Sequence, residues 1–174
     1  MIIIAEQITR FRGQYWFLSN FYPYSGLKFH GIWYKNSEAA FQAQKTLNPR
    51  IQESYSNLNP LEAKRLGKRI KMRSDWDTVK DAVMLQVVLA KFYWNPTLVW
   101  KLVETGDAEL VEGNTWGDTY WGICNGIGQN RLGYILMLIR SSYMDESVSY
   151  DAQLLKSLAY YNNGGYHHDE RRFQ

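Results

Sequence analysis

The stretch YKNSEAAFQAQK, residues 34–45, predicts a short helix that packs against the core of the fold. A helix capped near Ser37 places Glu38, Gln42 and Lys45 on one face, within about 60° of arc. Small or apolar residues fall on the opposite side: Ala40, Ala43 and Leu47. A carboxylate, an amide and an amine in one row indicate a ligand site, and a solvated helix face is the alternative that this pattern leaves open.

Around this helix the sequence predicts an α+β fold that is predominantly helical. Residues 2–8 indicate a strand, and 27–34 a strand or a tight hairpin about His30-Gly31. Cap signals at Asn59-Pro60, Ser74 with Asp77, Asn95-Pro96 and Asn130 predict helices at 59–70, 74–94, 95–106 and 130–140. A short strand is expected at 108–112. We expect one compact domain over 1–143 with a small β element, followed by a C-terminal helix and tail over 144–174.

Composition limits the classes of protein to which the chain can belong. Its 174 residues include a single cysteine, Cys124, which excludes a disulfide framework and a Cys-based metal site. No apolar run approaches the length of a membrane span, and we expect a cytoplasmic protein without membrane contact. The net charge of +3 is too small to indicate nucleic-acid binding by itself.

The aromatic content is unusually high, at 16% with seven Trp and thirteen Tyr. Half-polar rings suit a pocket wall that stacks flat ligands such as bases or sugars. A core rich in Tyr and Trp, with its hydroxyl groups satisfied locally, is an equally good interpretation.

The loop EGNTWGDTYWGICNGIGQNR, residues 112–131, holds five glycines, two acids and two tryptophans. Glycine lets the backbone approach a ligand, and the position of Asp118 among aromatic residues suits acid–base chemistry. A turn-rich connection with Asp118 as a cap is the alternative. Gly126-Ile127-Gly128 could present N–H groups to a phosphate, although the segment lacks the third glycine of a dinucleotide fingerprint.

Two further segments have the composition of a binding surface. The run AKRLGKRIKMR, residues 63–73, contains six Lys or Arg, which suits phosphate or nucleic-acid binding or a solvated helix face. The segment FLSNFYP, residues 17–23, places Asn20 beside Phe21. This pair suits hydrogen bonding to a base or sugar edge with stacking on the ring, and a simple turn held by Asn20 is the alternative.

Taken in this order, the segments resemble the NADAR family. The matching segments are FLSNFYP (17–23), Tyr34 with SEAAFQAQK (37–45), AKRLGKR (63–69), RSDWDTVKDAVM (73–84), KF (91–92), LVEGNTWGDTYWG (110–122) and GQNRLGYILMLIR (128–140). The resemblance extends from about residue 16 to residue 140, and it is the combination of segments that is specific.

The resemblance implies a compact, mainly helical α+β domain that cleaves the C1′–N bond between a ribose phosphate or ADP-ribose and a nitrogen base. It implies Glu38 as catalytic acid/base, assisted by Asp118, and Lys45 as a lysine that forms an imine at the anomeric carbon or binds phosphate. The expected substrate-binding residues are Asn20, Phe21, Tyr34, Gln42, Trp76, Trp116, Trp121, Asn130 and Arg131. We expect no metal and no cofactor.

Three functions stay open at this point. The first is an N-glycosidase for a ribosylated metabolite, such as a ribosylamino-pyrimidine intermediate of riboflavin synthesis. The second is a hydrolase that removes ADP-ribose from guanine in DNA or RNA, which the basic run at 64–73 favours. The third is a non-catalytic ADP-ribose or nucleotide-binding module, against which the presence of Glu38, Lys45 and Asp118 argues. The sequence leaves the oligomeric state open.

Overall fold

The longest helix, α4 (Trp76–Trp94), lies at the centre of the fold and contacts α1 (Ser37–Ala43), α5 (Pro96–Val103), α6 (Arg131–Met144) and β2 (Leu27–Phe29). The computed structural model describes residues 6–144. Every residue from Val87 to Phe92 is buried, so this half of α4 is covered on all sides, as in the core helix of a larger domain. The helix predicted at 74–94 is confirmed, and its start lies two residues later.

The other elements are short and surround α4. Two helices, α2 (Pro49–Ser54) and α3 (Pro60–Gly67), and a 3-10 helix at Gly13–Leu18 complete the helical part. β1 (Gln7–Ile8) pairs in parallel with β4 (Glu109–Leu110), and β2 pairs antiparallel with β3 (Ile32–Tyr34). A third sheet contains β5 (Gly113–Asn114), β6 (Ile123–Cys124) and β7 (Ile127–Gly128). The architecture is α+β and predominantly helical, as the sequence predicts.

Two tight hairpins depend on residues that tolerate the left-handed backbone region. His30 and Gly31 have φ angles of 47° and 82° and join β2 to β3, which decides between the two interpretations of 27–34. Asn125 and Gly126, at 51° and 79°, join β6 to β7 in the same way. Residues 126–128 therefore belong to a hairpin, and a phosphate-binding role for their N–H groups stays a prediction.

The cap of helix α1 lies one residue earlier than the sequence indicates. Asn36 is the N-cap, and its Oδ1 accepts from the Ala39 N–H at 2.8 Å while its Nδ2 donates to the Leu58 carbonyl at 2.9 Å. The helix ends at Ala43, so Lys45 lies in the turn that follows it. Leu47 lies beyond this end and is 68% exposed. The prediction that it packs together with Ala40 and Ala43 on the side of the helix opposite Glu38 is therefore wrong.

The boundaries of α3, α4 and α5 differ in how well the sequence predicts them. At α3 the predicted N-cap Asn59 is confirmed, and it forms a capping box in which Asn59 and Glu62 bond reciprocally at 2.9 and 3.0 Å. At α4 the predicted box is wrong. The helix begins at Trp76, where Asp75 makes no cap and instead pairs with Arg73. Helices α3 and α5 end at Gly67 and Val103, three residues before the predicted positions.

Asn130 precedes α6 as predicted, but its side chain joins the helix start to the neighbouring strands. Its Nδ2 donates to the Leu110 carbonyl at 2.8 Å, and its Oδ1 accepts from the Glu112 N–H at 3.0 Å. The side chain folds over Gly133, where a Cβ would lie 2.1 Å from the Leu110 carbonyl oxygen. Glycine at this position lets α6 lie directly against the end of β4.

Several predictions fall wholly or partly outside the described residues. The strand predicted at 2–8 is represented by Gln7–Ile8, and residues 1–5 lie outside. The C-terminal helix and tail also lie outside, apart from Met144 at the end of α6. The domain boundary at 143 therefore stays a prediction. Among the helices described between residues 6 and 144, none has the length and hydropathy needed to cross a membrane.

Candidate active site

A cavity of about 860 Å³ opens beside α1 and is the place where the predicted site residues meet. Its walls come from the segment that follows the 3-10 helix, from α1, α3 and the first half of α4, and from the loop around β5. Nine of the predicted residues line it: Asn20, Phe21, Glu38, Gln42, Lys45, Trp76, Trp116, Asp118 and Trp121. Residues far apart in sequence thus meet in one hollow.

Three predicted substrate-binding residues do not line this cavity. Tyr34 is fully buried in the core, where its hydroxyl donates to the Gln52 carbonyl at 3.4 Å. Asn130 is committed to Leu110 and Glu112, as described above. Arg131 pairs with Asp81 at 2.9 Å and lines a separate surface hollow. All three were predicted because they lie in or next to motif segments. The sequence pattern does not reveal which way their side chains face.

Glu38 lies at the buried end of the predicted row of Glu38, Gln42 and Lys45, and its side chain is only 7% exposed. The Gln42 Nε2 donates to its Oε1 at 2.8 Å, across one turn of α1. Its own N–H donates to the Asn20 carbonyl at 3.3 Å, which joins α1 to the FLSNFYP segment. Burial raises the pKa of Glu38 most, while the Gln42 hydrogen bond and the charges of Lys64 and Lys45 oppose that rise. A carboxyl held in this way accepts a proton more readily than one in water.

Lys45 lies at the other end of this row and is half-buried. Its Nζ donates to the Gly67 carbonyl at 3.1 Å and lies 6.0 Å from the centre of the Trp76 ring. Burial lowers the pKa of Lys45, and the nearby charges of Lys64 and Lys68 lower it further, against the pull of Glu38. A lowered pKa raises the fraction of neutral amine, which is the form that attacks a carbon centre.

Asp118 has a structural role as well as a place on the cavity wall. Its Oδ1 accepts from the backbone N–H groups of Tyr120 and Trp121 at 3.1 and 2.9 Å. Asn114 completes the turn, because its side chain binds both the N–H and the carbonyl of Asp118 at 3.0 and 2.7 Å. The two interpretations of this loop are therefore compatible, since Asp118 holds a turn that itself lines the cavity.

Glu112 also lines the cavity, and sequence reasoning missed it as a site residue. Its Oε2 is buried without a hydrogen-bond partner among residues 6–144. Burial, reinforced by the Asp118 charge, raises the pKa of Glu112 to about 7. The available signal was its place in the motif LVEGNTWGDTYWG, but the pattern does not show whether this side chain faces the cavity or the solvent.

Two other cavity residues also carry buried acceptor atoms without a hydrogen-bond partner in the described part of the chain. These atoms are the Oδ1 of Asn20 and the Oε1 of Gln42. A buried polar group that lacks a partner is costly, and such groups in a cavity are typical positions for ligand or solvent donors.

Aromatic rings form much of the cavity wall. Phe41 packs against Trp76 and Trp121 with ring centroids 5.2 and 5.4 Å apart, which fixes both indoles. Trp116 is 53% exposed, and the Lys64 ammonium lies 5.9 Å from its ring and 5.6 Å from that of Phe21. Part of the unusual aromatic content therefore lines this cavity, and another part, including Tyr34 and Tyr55, is core.

Basic side chains line the cavity where α3 and the turn after it meet the opening. Three of them come from the predicted basic run: Lys64, Arg65 and Lys68. Arg65 and Lys68 are exposed and Lys64 is half-buried, so the run is both a solvated face and a cavity edge. Among residues 6–144, no group of three or more His, Cys, Asp or Glu side chains is arranged to hold a metal ion.

The comparison with known families gives this arrangement its context. The family model described as the NADAR domain matches residues 9–143, which is most of the chain. This chain belongs to the NADAR family. The predicted resemblance is thereby confirmed, and the motif segments that suggested it supply most of the walls of the cavity in this NADAR domain.

Individual proteins are also similar to this chain in sequence and in structure. The chain is 42% identical over 118 residues to N-glycosidase YbiA of Shigella flexneri, covering 66% of this chain and 73% of that one. It is 36% identical over 135 residues to a riboflavin biosynthesis protein of Vibrio vulnificus, covering 75% of this chain but 36% of that longer protein. The NMR structure of Escherichia coli YbiA superposes with a TM-score of 0.73 at 34% identity, over 85% of this chain and 91% of that one.

Proposed function

We propose that this NADAR protein is an N-glycosidase that hydrolyses the C1′–N bond between a phosphorylated ribose and a nitrogen base. The observation that carries the proposal is the placement of Glu38 and Lys45 on one cavity between aromatic rings and basic side chains. Relatives named N-glycosidase, and one named for riboflavin biosynthesis, support the reaction and favour a ribosylamino-pyrimidine phosphate as substrate.

Each part of such a substrate has a complementary part of the cavity. The rings of Trp76, Trp116 and Trp121 suit stacking on a flat base. The unpartnered acceptors of Asn20 and Gln42 suit amino groups of the base or hydroxyl groups of the ribose. The basic side chains of the cavity edge suit the phosphate, which is charged at every pH near neutrality.

The reaction needs a negative group near C1′ and a nucleophile that reaches it. Breaking the C1′–N bond develops oxocarbenium character at the sugar, which the Glu38 carboxylate stabilises. Glu38 then accepts a proton from the attacking water. Lys45 provides a second route, because its neutral amine can add to C1′ and form an imine with the opened ribose.

The first experiment is a turnover assay with wild-type protein and a ribosylamino-pyrimidine 5′-phosphate. Release of the free pyrimidine and ribose 5-phosphate is expected. Glu38→Gln preserves the shape of the buried side chain and should lower kcat by at least about 100-fold, since it cannot accept a proton. Full turnover by the Glu38→Gln variant, folded as judged by circular dichroism, would sink the role given to Glu38.

Reduction with borohydride during turnover separates the two roles of Lys45. A stable adduct on Lys45, located by mass spectrometry, is expected if the amine forms an imine. Lys45→Arg keeps the charge and should give no adduct, while Lys35→Arg, at an exposed lysine outside the cavity, should leave the adduct unchanged. Normal turnover by the Lys45→Arg variant would instead assign Lys45 to phosphate binding.

A second candidate is removal of ADP-ribose from guanine in nucleic acid, and one observation favours it. Exposed Arg65, Lys68 and Trp116 edge the cavity opening, where a strand carrying the modified base would contact the protein. Incubation with guanine-ADP-ribosylated DNA tests it directly. Faster ADP-ribose release than metabolite turnover would make nucleic acid the substrate, and binding of ADP-ribose without turnover of either substrate would indicate a non-catalytic module.

A cytoplasmic location is part of the same proposal. Cys124 is a buried, unpaired thiol, which suits a reducing compartment. Fractionation of cells that produce the full chain would test the location.

A further inference from the structure

We propose that Glu112 is the proton donor to the leaving base, opposite in role to Glu38. This inference rests on the proposed N-glycosidase function and adds a catalytic residue to it. Protonation of the leaving nitrogen is a separate requirement of the reaction, because an unprotonated pyrimidine amide anion is a poor leaving group. None of the roles described above supplies this proton.

The geometry distinguishes Glu112 from the other carboxylates of the cavity. Asp118 has its Oδ1 occupied by the backbone N–H groups of Tyr120 and Trp121, so this oxygen is committed to the turn. Glu38 accepts a hydrogen bond from the Gln42 Nε2 at 2.8 Å, so one of its oxygens is already engaged. Glu112 lines the same cavity with a buried Oε2 that no described residue contacts by a hydrogen bond. Of the three, it is the carboxyl best placed to carry a proton that a ligand can take.

The charges around Glu112 support the same assignment. The negative charge of Asp118 raises the pKa of Glu112, in addition to burial. Three cations oppose this: Lys64 of the cavity lining, Lys91 of α4 and Arg12 at the start of the 3-10 helix. The result is a pKa of about 7, so a substantial fraction of the protonated acid is present at neutral pH.

The step balances between the two glutamates. The C1′–N bond breaks, its electron pair passes to the base nitrogen, and this nitrogen takes the proton of Glu112. A water molecule forms the new C1′–O bond and gives a proton to the Glu38 carboxylate. Glu112 ends as the carboxylate and Glu38 as the acid, and proton exchange with solvent restores both.

The test compares two leaving groups in wild-type protein, in Glu112→Gln and in the matched control Glu109→Gln. Glu109 is an exposed acid on β4 outside the cavity, so its variant should behave as wild type. With the ribosylamino-pyrimidine 5′-phosphate, Glu112→Gln should lower kcat by about 100-fold or more. With 4-nitrophenyl ribofuranoside 5-phosphate, whose leaving group departs without a proton, the loss should be less than about tenfold.

A pH profile of wild type and Glu112→Gln supplies a second readout. Wild-type kcat/KM for the pyrimidine substrate should fall above about pH 7 as Glu112 ionises, and this limb should be absent in Glu112→Gln. Equal losses on both substrates, or an alkaline limb unchanged in the variant, would overturn the proton-donor role alone. Absence of any wild-type turnover would overturn the N-glycosidase function and this step with it.

Discussion

At the scale of single residues, the site depends on how burial changes the charge state of ordinary side chains. Glu38 and Glu112 are acids whose pKa values are raised because their carboxylates lose contact with water, and Lys45 is an amine whose pKa is lowered for the same reason. Burial in this cavity therefore favours the uncharged form of the two acids and of the amine. This burial lowers the stability of the folded state, because the charged forms of these groups are better solvated by water in the unfolded chain.

This cost predicts how Glu112→Gln changes stability with pH. The pKa of Glu112 is raised to about 7 in the folded protein, so the folded state binds more protons than the unfolded state between about pH 4.5 and 7. The stabilising contribution of the protonated form is full below about pH 4.5 and is lost as the pH rises through about 7. Glu112→Gln should therefore be more stable than wild type by about 1–3 kcal/mol at pH 8 and by much less at pH 5.

Urea denaturation of both proteins at pH 5 and pH 8 measures this difference. The other titrating groups are shared, so the change in the free energy of unfolding reports mainly on Glu112. Glu109→Gln, at an exposed position, should show no comparable pH dependence. An equal difference at both pH values would mean that Glu112 does not change its protonation state between pH 5 and pH 8 in the folded protein.

At the scale of elements, α4 orders the segment that carries Asn20 and Phe21. Lys91 is fully buried, and its Nζ donates to the carbonyls of Phe17 and Ser19 at 2.5 and 2.9 Å. Burial lowers the pKa of Lys91 to about 7, and the charge of a cavity carboxylate, Glu112, opposes this change. The fold thus keeps an amine-bearing side chain in its core to hold two peptide groups next to the cavity wall.

Lys91→Met should test this connection. The apolar side chain fills a similar volume but leaves the Phe17 and Ser19 carbonyls without their donor, which costs about 1–3 kcal/mol of stability. Asn20 and Phe21 should then lose their fixed position, and KM should rise more than kcat falls. Lys101→Met, at an exposed lysine near Phe17 on α5, is the control. Unchanged KM with lowered stability would restrict Lys91 to a role in folding.

The contact between α6 and β4 gives a second prediction at this scale. Gly133 leaves room for the Leu110 carbonyl, and a Cβ there would meet it at 2.1 Å. Gly133→Ala should destabilise the protein by about 1–3 kcal/mol, because the obstacle is backbone and cannot rotate away. Thermal denaturation measures the loss, with the exposed Ser141→Ala on the same helix as control. A melting temperature equal to that of wild type would mean that α6 shifts without cost.

At the scale of the whole molecule, a modest net charge hides an uneven distribution. The chain carries +3 overall, yet six Lys and Arg side chains line one cavity together with three acids. Phosphate would be drawn to this opening by charge, and added salt screens that attraction over about 10 Å at 0.1 M.

The charge distribution predicts a salt-dependent KM for a phosphorylated substrate. Lys64→Gln should raise KM by about 10-fold or more and reduce its dependence on salt, since a charge-assisted contact contributes about 1.5–3 kcal/mol. Lys28→Gln, on β2 and away from the cavity lining, should change neither quantity. Steady-state kinetics between about 20 and 300 mM salt distinguish the two, since an equal response of both variants would point to net charge alone.

The sequence by itself determined the fold class, the hairpin signal at His30-Gly31, the N-cap at Asn59 and the long helix over 74–94, because these depend on local propensity and hydrophobic period. It also identified Glu38, Gln42 and Lys45 as one group, since their spacing is set by helix geometry. The predicted cap of Ser74 with Asp77 is wrong, because α4 begins at Trp76 and the neighbouring Asp75 pairs with Arg73. The side chain of Asn130, predicted as a cap, binds Leu110 and Glu112.

Only the tertiary structure decided which motif residues face the cavity. Tyr34 is adjacent to the site helix in sequence but points into the core, while Glu112 lies two residues after a short strand and lines the cavity. The physical reason is that burial, and with it the pKa of a carboxyl, is set by segments distant in sequence. The charges that act on Glu112 come from residues 12, 64, 91 and 118, which only the folded chain brings together.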